Sequence, residues 1–276
     1  MTYPLAVLAA LSAVLPLAAE DGFRWPSDKR AAVILTYDDG VDVHLDHVVP
    51  DLEAAGLRGT FYVPGHSSSL RQRMPEWRAI ARRGHELGNH SIFHPCLRVS
   101  LAGERRDWLA PERELEKYSV SQMGSELAAM NTLLFAVDGE AARTYAFTCS
   151  DHLAGGTSYV DKVRPLFLAA RTGETQEIPD LRTLDVHFVP SWPVINVSGD
   201  DMIAFAEKAL RAGSLAVFMF HGVGGGHNIN VDREAHRKLL AWLASRKDEV
   251  WTDTFRNVMT HVIAERTRLG WENARR

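Results

Sequence analysis

Aspartate and histidine side chains that could bind a metal ion occur in three short stretches of this 276-residue sequence. They are Asp38-Asp39-Gly40, a segment with histidines at positions 90 and 94, and His221-Gly222. Two imidazoles four residues apart lie on one face of a helical turn, within reach of a single ion. Two histidines and one carboxylate, with other positions open to water, are typical of a catalytic metal site. The stretches therefore predict a catalytic centre for a divalent metal.

Each stretch also has a structural interpretation. Asp-Gly is a common turn dipeptide, so Asp38 and Asp39 could simply end a strand. A lone histidine pair, or His221 by itself, is more often structural than catalytic. An unpaired buried charge, however, costs roughly several kcal/mol unless a metal or a counter-charge compensates it. The coincidence of three such stretches at three predicted strand ends favours the catalytic interpretation.

Alternating strands and helices must position these side chains. The apolar run 31–35 predicts a buried strand that leads directly into Asp38. A helix at 45–55, a strand at 59–63, a helix at 75–83 and a strand at 86–88 follow. This order predicts right-handed βαβ units and hence a parallel sheet.

The alternation continues to the end of the chain, after a polar segment at 100–118 that predicts a long loop on the rim. The remaining predicted elements are helices at 121–137, 159–167, 200–211, 234–245 and 254–265, and strands at 144–147, 168–171, 186–189 and 215–220. Such an α/β pattern indicates a barrel of parallel strands, where sites lie at the carboxyl ends of the strands. A doubly wound open sheet is the alternative.

Composition and charge exclude some partners. Hydrophobic residues make up 46% and charged residues 24% of the sequence, which is ordinary for a globular chain. The net charge of −4 gives no indication of a nucleic-acid or acidic-membrane partner. No apolar run reaches the roughly 18 residues of a membrane span, with one partial exception at the N-terminus.

That exception, the apolar segment 4–19, is rich in leucine and alanine and precedes Glu20. It predicts a signal peptide over residues 1–19, a mature domain over 20–276, and a secreted or periplasmic protein. A buried N-terminal helix is the alternative. In an oxidising compartment Cys96 and Cys149 could form a disulfide, and two free buried thiols are the other possibility.

In order and separation, the three stretches together resemble the polysaccharide deacetylases, the NodB-like carbohydrate esterases of family 4. The first motif of that family, Thr-Phe-Asp-Asp-Gly, matches Thr36 to Gly40 with Tyr37 in place of Phe. The second motif, His-Ser/Thr-x-x-His-Pro, matches His90 to Pro95. The last motif, an apolar strand followed by His-Gly, matches Val217 to Gly222. The similarity extends from about residue 31 to the end of the chain.

The resemblance implies a distorted (β/α) barrel of about seven parallel strands and a divalent metal, usually zinc. Asp39, His90 and His94 correspond to the metal ligands of the family. Asp38 corresponds to the general base and His221 to the general acid. A metal lowers the pKa of bound water from about 15.7 towards about 7, so a nearby carboxylate can take the proton.

The third motif of the family departs from its usual form. Where the family typically has Arg-Pro-Pro-Tyr-Gly, this chain has Ala146 at the arginine position, followed by Phe147-Thr148-Cys149-Ser150. Arg143 and Arg171 are close enough in sequence to be candidate replacements. The stretch is similar to a bacterial subgroup that also has a cysteine after His-Pro, as Cys96 is here. The backbone amide of Cys149 is the candidate oxyanion donor.

The function implied is removal of acetyl groups from a carbohydrate, either N-acetylglucosamine-containing material or acetylated xylan. Trp192, Trp108 and Tyr159 are candidates to stack on sugar rings. A catalytically inactive carbohydrate-binding protein on the same fold is the alternative. It is favoured because Ala146 replaces the arginine of the third motif and Thr148 replaces a proline. A glycosidase would need carboxyl groups roughly 5 to 9.5 Å apart and leaves the histidine pair unexplained.

Overall fold

A computed structural model describes residues 22–173 and 175–271 of the chain. The predicted signal peptide, residues 1–19, lies outside this range. None of the helices in the described part is long and apolar enough to cross a membrane.

Twelve short strands occur in the described part of the chain. They are β1 (Ala31–Asp38), β2 (Thr60–Val63), β3 (Glu86–Asn89), β4 (Thr144–Ala146), β5 (Leu153–Ala154), β6 (Thr157–Ser158), β7 (Ala169–Arg171), β8 (Trp192–Pro193), β9 (Leu215–Phe220), β10 (Gly222–Val223), β11 (Asn230–Val231) and β12 (Val250–Thr252). Eight of them form one sheet in which every strand pair is parallel. The parallel α/β architecture predicted from the alternation is confirmed.

The sheet curls into a distorted barrel around β1. Its order is β7-β4-β3-β2-β1-β9-β8, and β12 pairs with the first residues of β1. The segment 189–193, which includes the edge strand β8, closes the sheet. Val189 bridges to Arg171 of the other edge strand, β7, while Trp192 pairs with Phe218 of β9. This connection excludes the doubly wound open sheet. The strand predicted at 186–189 is reduced to that single bridge.

Helices cover the sheet. They are α1 (Val49–Ala54), α2 (Ser68–Arg82), α3 (Val120–Asp138), α4 (Val160–Val163), α5 (Gly199–Ala212), α6 (Arg233–Ser245) and α7 (Phe255–Arg268). Side-chain caps begin five of them, since Ser67, Ser119, Ser198, Asp232 and Thr254 each accept a backbone N–H of the first turn. Four of these caps, all except Ser67, precede helices that begin within one residue of the predicted start.

The helix predicted at 159–167 is reduced to α4, Val160–Val163, and two further helices differ from the prediction. Helix α2 begins at Ser68 rather than near residue 75, because Arg73 adopts a non-helical conformation that accommodates Pro75 inside the helix. The helix predicted at 45–55 is a π-helical turn, His44–Val48, followed by α1, with Pro50 in the first turn. Both differences arise where a proline removes a backbone donor.

Strand β1 is buried along its whole length, and its residues alternate between two apolar layers. Ala31, Val33, Leu35 and Tyr37 pack against the outer helices, whereas Ala32 and Ile34 face the interior of the barrel and α7. By this alternation Asp38 belongs to the interior face. Strand β1 therefore places the Asp38 carboxylate at the carboxyl end of the barrel interior, and the backbone turns at Asp39.

Candidate active site

The carboxyl ends of β1, β3 and β9 bring the three polar stretches together. Asp38, Asp39, His90, His94 and His221 line one cleft with a volume of about 650 Å³. Parallel strands end at the same edge of a sheet, so residues far apart in sequence meet there. The convergence expected from the strand ends is present in the structure.

Asp39, His90 and His94 form a compact group of donor atoms. Their candidate ligand atoms all lie within 4.8 Å of one another. Oδ1 of Asp39 is 3.2 Å from Nε2 of His94 and 3.6 Å from Nε2 of His90. Asp39 has a φ of 76°, a left-handed conformation that aspartate tolerates better than most residues. The backbone thus turns immediately after β1 and directs this carboxylate toward both imidazoles.

Hydrogen bonds at the far side of both rings leave their Nε2 atoms available. Nδ1 of His90 is 2.9 Å from the carbonyl oxygen of Ala146, which can only accept, so Nδ1 carries the proton. Nδ1 of His94 is 3.5 Å from Sγ of Cys96. A metal-binding histidine commonly donates its other N–H in this way. The donor set and the tautomer of His90 therefore fit a divalent metal.

Burial and charge shift the pKa values of this group in opposite directions. Burial lowers the pKa of His90 to about 4. Burial would also lower the pKa of His94, but the nearby Asp39 carboxylate raises it above its ordinary value. Burial raises the pKa of Asp39, but His94, His221 and His90 outweigh it and hold that pKa well below the usual range. The site thus favours an ionised carboxylate beside an unprotonated His90.

The histidine pair lies on a loop, not on the helical turn that its spacing predicts. Ser91 and His94 both have positive φ values, 60° and 53°. Oε1 of Glu126 on α3 accepts the N–H groups of Ile92 and Phe93, at 3.1 and 3.0 Å. This carboxylate fixes the loop from beneath, which makes Glu126 a supporting residue that the sequence did not reveal.

Asp38 is paired with Arg171, the replacement for the arginine missing at Ala146. Nη2 of Arg171 donates to Oδ1 of Asp38, and both side chains are buried. Ala146 and Arg171 are partners in the register of β4 and β7. The guanidinium that reaches Asp38 is therefore supplied by β7 instead of the neighbouring strand β4.

Arg171 is held by several neighbours. Its Nη1 donates to Oγ of Ser191 at 3.3 Å and lies 2.8 Å from Sδ of Met219, while its guanidinium lies 4.9 Å from the ring centroid of Tyr62. Burial raises the pKa of Asp38, but Arg171 and the adjacent histidines outweigh burial and lower that pKa below its ordinary value. The other candidate replacement, Arg143, pairs instead with Asp138.

His221 lies across the cleft from the histidine pair. Its Nε2 is 3.9 Å from Oδ2 of Asp39, and its backbone carbonyl is 2.7 Å from Nε2 of the buried His44. Its Nδ1 is buried and has no hydrogen-bond partner among the described residues. Burial lowers the pKa of His221 despite the two nearby aspartates.

The structure joins Cys96 and Cys149 in a disulfide across 53 residues, which decides between the two possibilities left by the sequence. The bond links the loop of His94 to the turn at Cys149, a residue with a φ of 54°. Arg106 braces this turn, because it donates to the Cys149 carbonyl and to Asp151. The Cys149 N–H is used by no backbone or side-chain acceptor within the described ranges, so its assignment as oxyanion donor stays a prediction.

Two of the three aromatic residues predicted to stack on sugar rings are placed elsewhere. Tyr159 is 0% exposed and hydrogen-bonds through its hydroxyl to Asp151. Trp192 is 8% exposed and packs against Phe205 in the core. Neither presents a ring face to the cleft, so both predictions are wrong. Trp108 is 67% exposed and lines the cleft, as a stacking residue would.

A fourth histidine, His227, enters the cleft from the glycine-rich segment after β10. Its Nε2 lies 3.5 Å from Oδ2 of Asp39, and its ring stacks on His221 with 5.1 Å between centroids. The sequence indicated only a flexible loop here. His227 lies six residues after His221, and this spacing gave no periodic signal that could have assigned it to the site.

Comparison with known proteins agrees with this arrangement. The family model described as polysaccharide deacetylase matches residues 26–157, which contain Asp38, Asp39 and the histidine pair. The match covers 132 of the 276 residues and assigns this part of the chain to the polysaccharide deacetylase family. The resemblance drawn from the motifs is confirmed.

Two curated members of the family match part of the chain. The peptidoglycan-N-acetylmuramic acid deacetylase PdaA of Bacillus subtilis is 29% identical over 102 residues, covering 37% of this chain and 38% of that protein. A peptidoglycan-N-acetylglucosamine deacetylase of Bacillus cereus is 31% identical over 88 residues, covering 31% of each chain. The matches thus span about a third of the length of these relatives.

Solved structures of the family share the fold. A crystal structure from Mycobacterium smegmatis that is described as a polysaccharide deacetylase has a TM-score of 0.60 and 18% identity, covering 88% of this chain and 93% of that one. A family 4 acetyl xylan esterase from Clostridium thermocellum, in complex with a cobalt ion, has a TM-score of 0.51 and 18% identity, covering 83% and 90%. At this identity the similarity supports the distorted barrel and nothing finer.

Proposed function

We propose that this polysaccharide deacetylase removes acetyl groups from a carbohydrate by hydrolysis that depends on a divalent metal. The observation that carries the proposal is the convergence of Asp39, His90 and His94 on one point, with the Arg171-paired Asp38 beside them. A metal site next to a carboxylate held in its ionised form combines an electrophile with a base. That combination suits attack of water on an amide or ester carbonyl.

The proposed ligands are Oδ1 of Asp39 and the Nε2 atoms of His90 and His94. When bound, a divalent ion supplies Lewis acidity, which lowers the pKa of water and polarises a carbonyl. Imidazole and carboxylate donors suit several divalent ions, and Zn²⁺ is the first candidate.

Asp38 is the proposed general base. Its carboxylate lies at the mouth of the barrel beside the ligand group, with Oδ2 4.0 Å from Nε2 of His90. Arg171 keeps Asp38 ionised and fixes its orientation through Oδ1, which leaves Oδ2 to accept the proton of the attacking water. Arg171 thereby supplies the cation that the family typically has at position 146.

His221 is the proposed general acid. It lies on the other side of Asp39 from the histidine pair, so a substrate carbonyl between them would place its departing amine or alcohol near the His221 ring. A histidine is suited to deliver a proton near neutral pH. The Cys149 N–H is the proposed donor to the oxyanion, held in place by the disulfide and Arg106.

The proposed substrate is an acetylated polysaccharide or oligosaccharide. The curated relatives are peptidoglycan deacetylases, and a structural neighbour is an acetyl xylan esterase. Trp108 at the rim offers an exposed ring to a sugar. The position of Arg171 answers one of the two arguments for a catalytically inactive binding protein, the alanine at 146.

Acetate release tests the proposal. Chitooligosaccharides, peptidoglycan and acetylated xylan are incubated with the protein as purified, after chelation, and after Zn²⁺ is restored. We expect acetate from at least one substrate, loss on chelation and recovery with metal. Asp38→Asn and His221→Ala should each lose at least about two decades of rate, whereas Asp180→Asn, a surface control, should not. Full activity of the metal-stripped protein would refute the mechanism.

We also propose that the protein is exported. The signal-like segment at 4–19 motivates this, and the Cys96–Cys149 disulfide is of a kind that persists in oxidising compartments. Expression of the full chain in a bacterial host, followed by N-terminal sequencing of the periplasmic fraction, should find a chain that begins near residue 20. Retention of an uncleaved chain in the cytoplasm would contradict export.

A further inference from the structure

His227 is held in the cleft by a loop that only glycine can form. Gly224, Gly225 and Gly226 have φ values of 66°, 111° and 80°, which are costly for other residues. A Cβ on Gly226 would lie 2.6 Å from Cγ2 of Val43. The parallel pairing of β10 with β11 closes the loop at its base. The loop therefore places the imidazole at a defined position.

The tautomer of His227 is fixed by its own loop. The backbone N–H of Ile229 donates to Nδ1 of His227 at 3.0 Å. Because an N–H can only donate, Nδ1 must accept, and the proton of the neutral ring lies on Nε2. This is the reverse of His90, whose Nδ1 faces the carbonyl oxygen of Ala146 and whose Nε2 is free.

The two oxygens of Asp39 face different groups. Oδ1 faces the Nε2 atoms of His90 and His94. Oδ2 faces the Nε2 of His227 at 3.5 Å and that of His221 at 3.9 Å. His227 lies outside the set of donors that are mutually within 4.8 Å, and its Nε2 carries a proton rather than a free lone pair.

We propose that His227 is a positioning residue of the metal centre: its Nε2–H donates to Oδ2 of Asp39 and orients Oδ1 toward the metal. This inference rests on the proposed metal site. Partners that hydrogen-bond to a ligating carboxylate typically contribute about 10- to 100-fold to metal affinity. His227 would act on the metal through Asp39, not as a ligand.

Metal affinity of the purified full chain separates the possibilities. Zn²⁺ affinity is measured by competition with a chromogenic chelator for the wild type and for His227→Phe, His227→Ala and His227→Gln. Phe keeps a ring against His221 without a donor, and Ala removes both ring and donor. Gln places an amide N–H close to the position of Nε2. His187→Phe, at a histidine outside the cleft, is the matched control.

We expect the Phe and Ala variants to bind Zn²⁺ at least about tenfold more weakly than the wild type. The Gln variant and the His187→Phe control should remain within about threefold. Thermal unfolding of the metal-free proteins checks that all variants fold. If either His227→Phe or His227→Ala does not fold, the other still tests the proposal.

Wild-type affinity in both the Phe and Ala variants would overturn the role of His227. Equal weakness of Gln and Phe would also overturn it, because the amide donor would then not replace the imidazole. A wild-type protein that binds no divalent metal would instead refute the proposed function, which keeps the two failures distinct.

Discussion

Two buried arginine–aspartate pairs have arginines next to or in the neighbouring strands β4 and β7, and they have different consequences. Arg143, just before β4, pairs with Asp138 five residues earlier in the chain. Arg171, at the end of β7, pairs with Asp38 across 133 residues. The chemistry of the two contacts is the same. Their neighbours differ.

Arg143 is surrounded by structural acceptors. It donates to the carbonyl oxygens of Leu87 and Glu140 as well as to Asp138 at the end of α3, so it ties a helix end to the sheet. Asp38, by contrast, lines the cleft next to the candidate metal ligands. Whether a buried ion pair supports the fold or the chemistry is therefore decided by what the carboxylate faces.

Substitution of the two arginines should separate these roles, with the largest effect at Arg171. Arg171→Met should lower kcat for acetate release by about two decades or more, because Asp38 loses the cation that keeps it ionised. Burial raises the pKa of Asp38 and is then opposed only by His90 and His221, so the acid limb of kcat/KM should move to higher pH. Steady-state kinetics across pH measures both effects. An unchanged acid limb would contradict the assigned role.

Arg143→Met should damage the fold and leave the chemistry intact. Removal of one partner from a buried ion pair costs about 3–5 kcal/mol, because the Asp138 carboxylate remains buried. Chemical denaturation should show this loss, while kcat per folded molecule should stay within about twofold. A variant that folds stably but is inactive would contradict the comparison.

Two buried histidines, His44 and His236, should affect the pH dependence of stability. Burial lowers the pKa of both His44 and His236 to about 4, while in the unfolded chain each titrates near about 6.5. As pH falls from about 6.5 to about 4, the unfolded state takes up protons that the folded state does not. Stability is therefore complete above about 6.5 and falls below it, by at most about 3 kcal/mol per histidine.

Denaturation of the metal-free protein between pH 7 and 4 measures this slope. His236→Gln, which keeps a polar group near the Tyr37 hydroxyl, should flatten the slope by up to one proton. The same slope in the variant and the wild type would show that His236 is not the source.

An arginine at position 146 of β4 should also be able to pair with Asp38 when Arg171 of β7 is removed. Ala146 and Arg171 are register partners, so Ala146→Arg combined with Arg171→Ala exchanges their side chains at the same level of the barrel. We expect the double variant to be about tenfold more active than Arg171→Ala alone, because a guanidinium again reaches Asp38. Equal activities would show that the position of the cation matters more than its presence.

Local patterns in the sequence were sufficient for much of the fold. The apolar runs that lead to Asp38 and His221 predict β1 and β9, since a buried parallel strand is apolar on both faces. Helices α3, α5 and α6 followed from periodicity and caps within one or two residues. Short strands such as β8 and β12 carried no such signal, because two or three residues define no period.

The candidate metal ligands could also be predicted from the sequence, since their motifs are short and their residue types are uncommon at strand ends. The aromatic residues were not. Nothing in the local sequence separates Trp192 and Tyr159 from Trp108, and only the direction of each side chain distinguishes core from cleft. Direction depends on what packs against the ring, which lies elsewhere in the chain.

The sequence by itself indicated the family, the parallel α/β sheet and the aspartates and histidines at the strand ends, because each depends on motifs or patterns of contiguous residues. The closure of the sheet into a barrel, rather than an open sheet, was decided by the structure. Only the tertiary structure showed that Arg171 pairs with Asp38 and lies beside Ala146, since strand register brings together residues 25 positions apart. It alone paired Cys96 with Cys149 and brought His227 to Asp39. These contacts arise from chain reversals at residues with positive φ, and no linear spacing records where such reversals end.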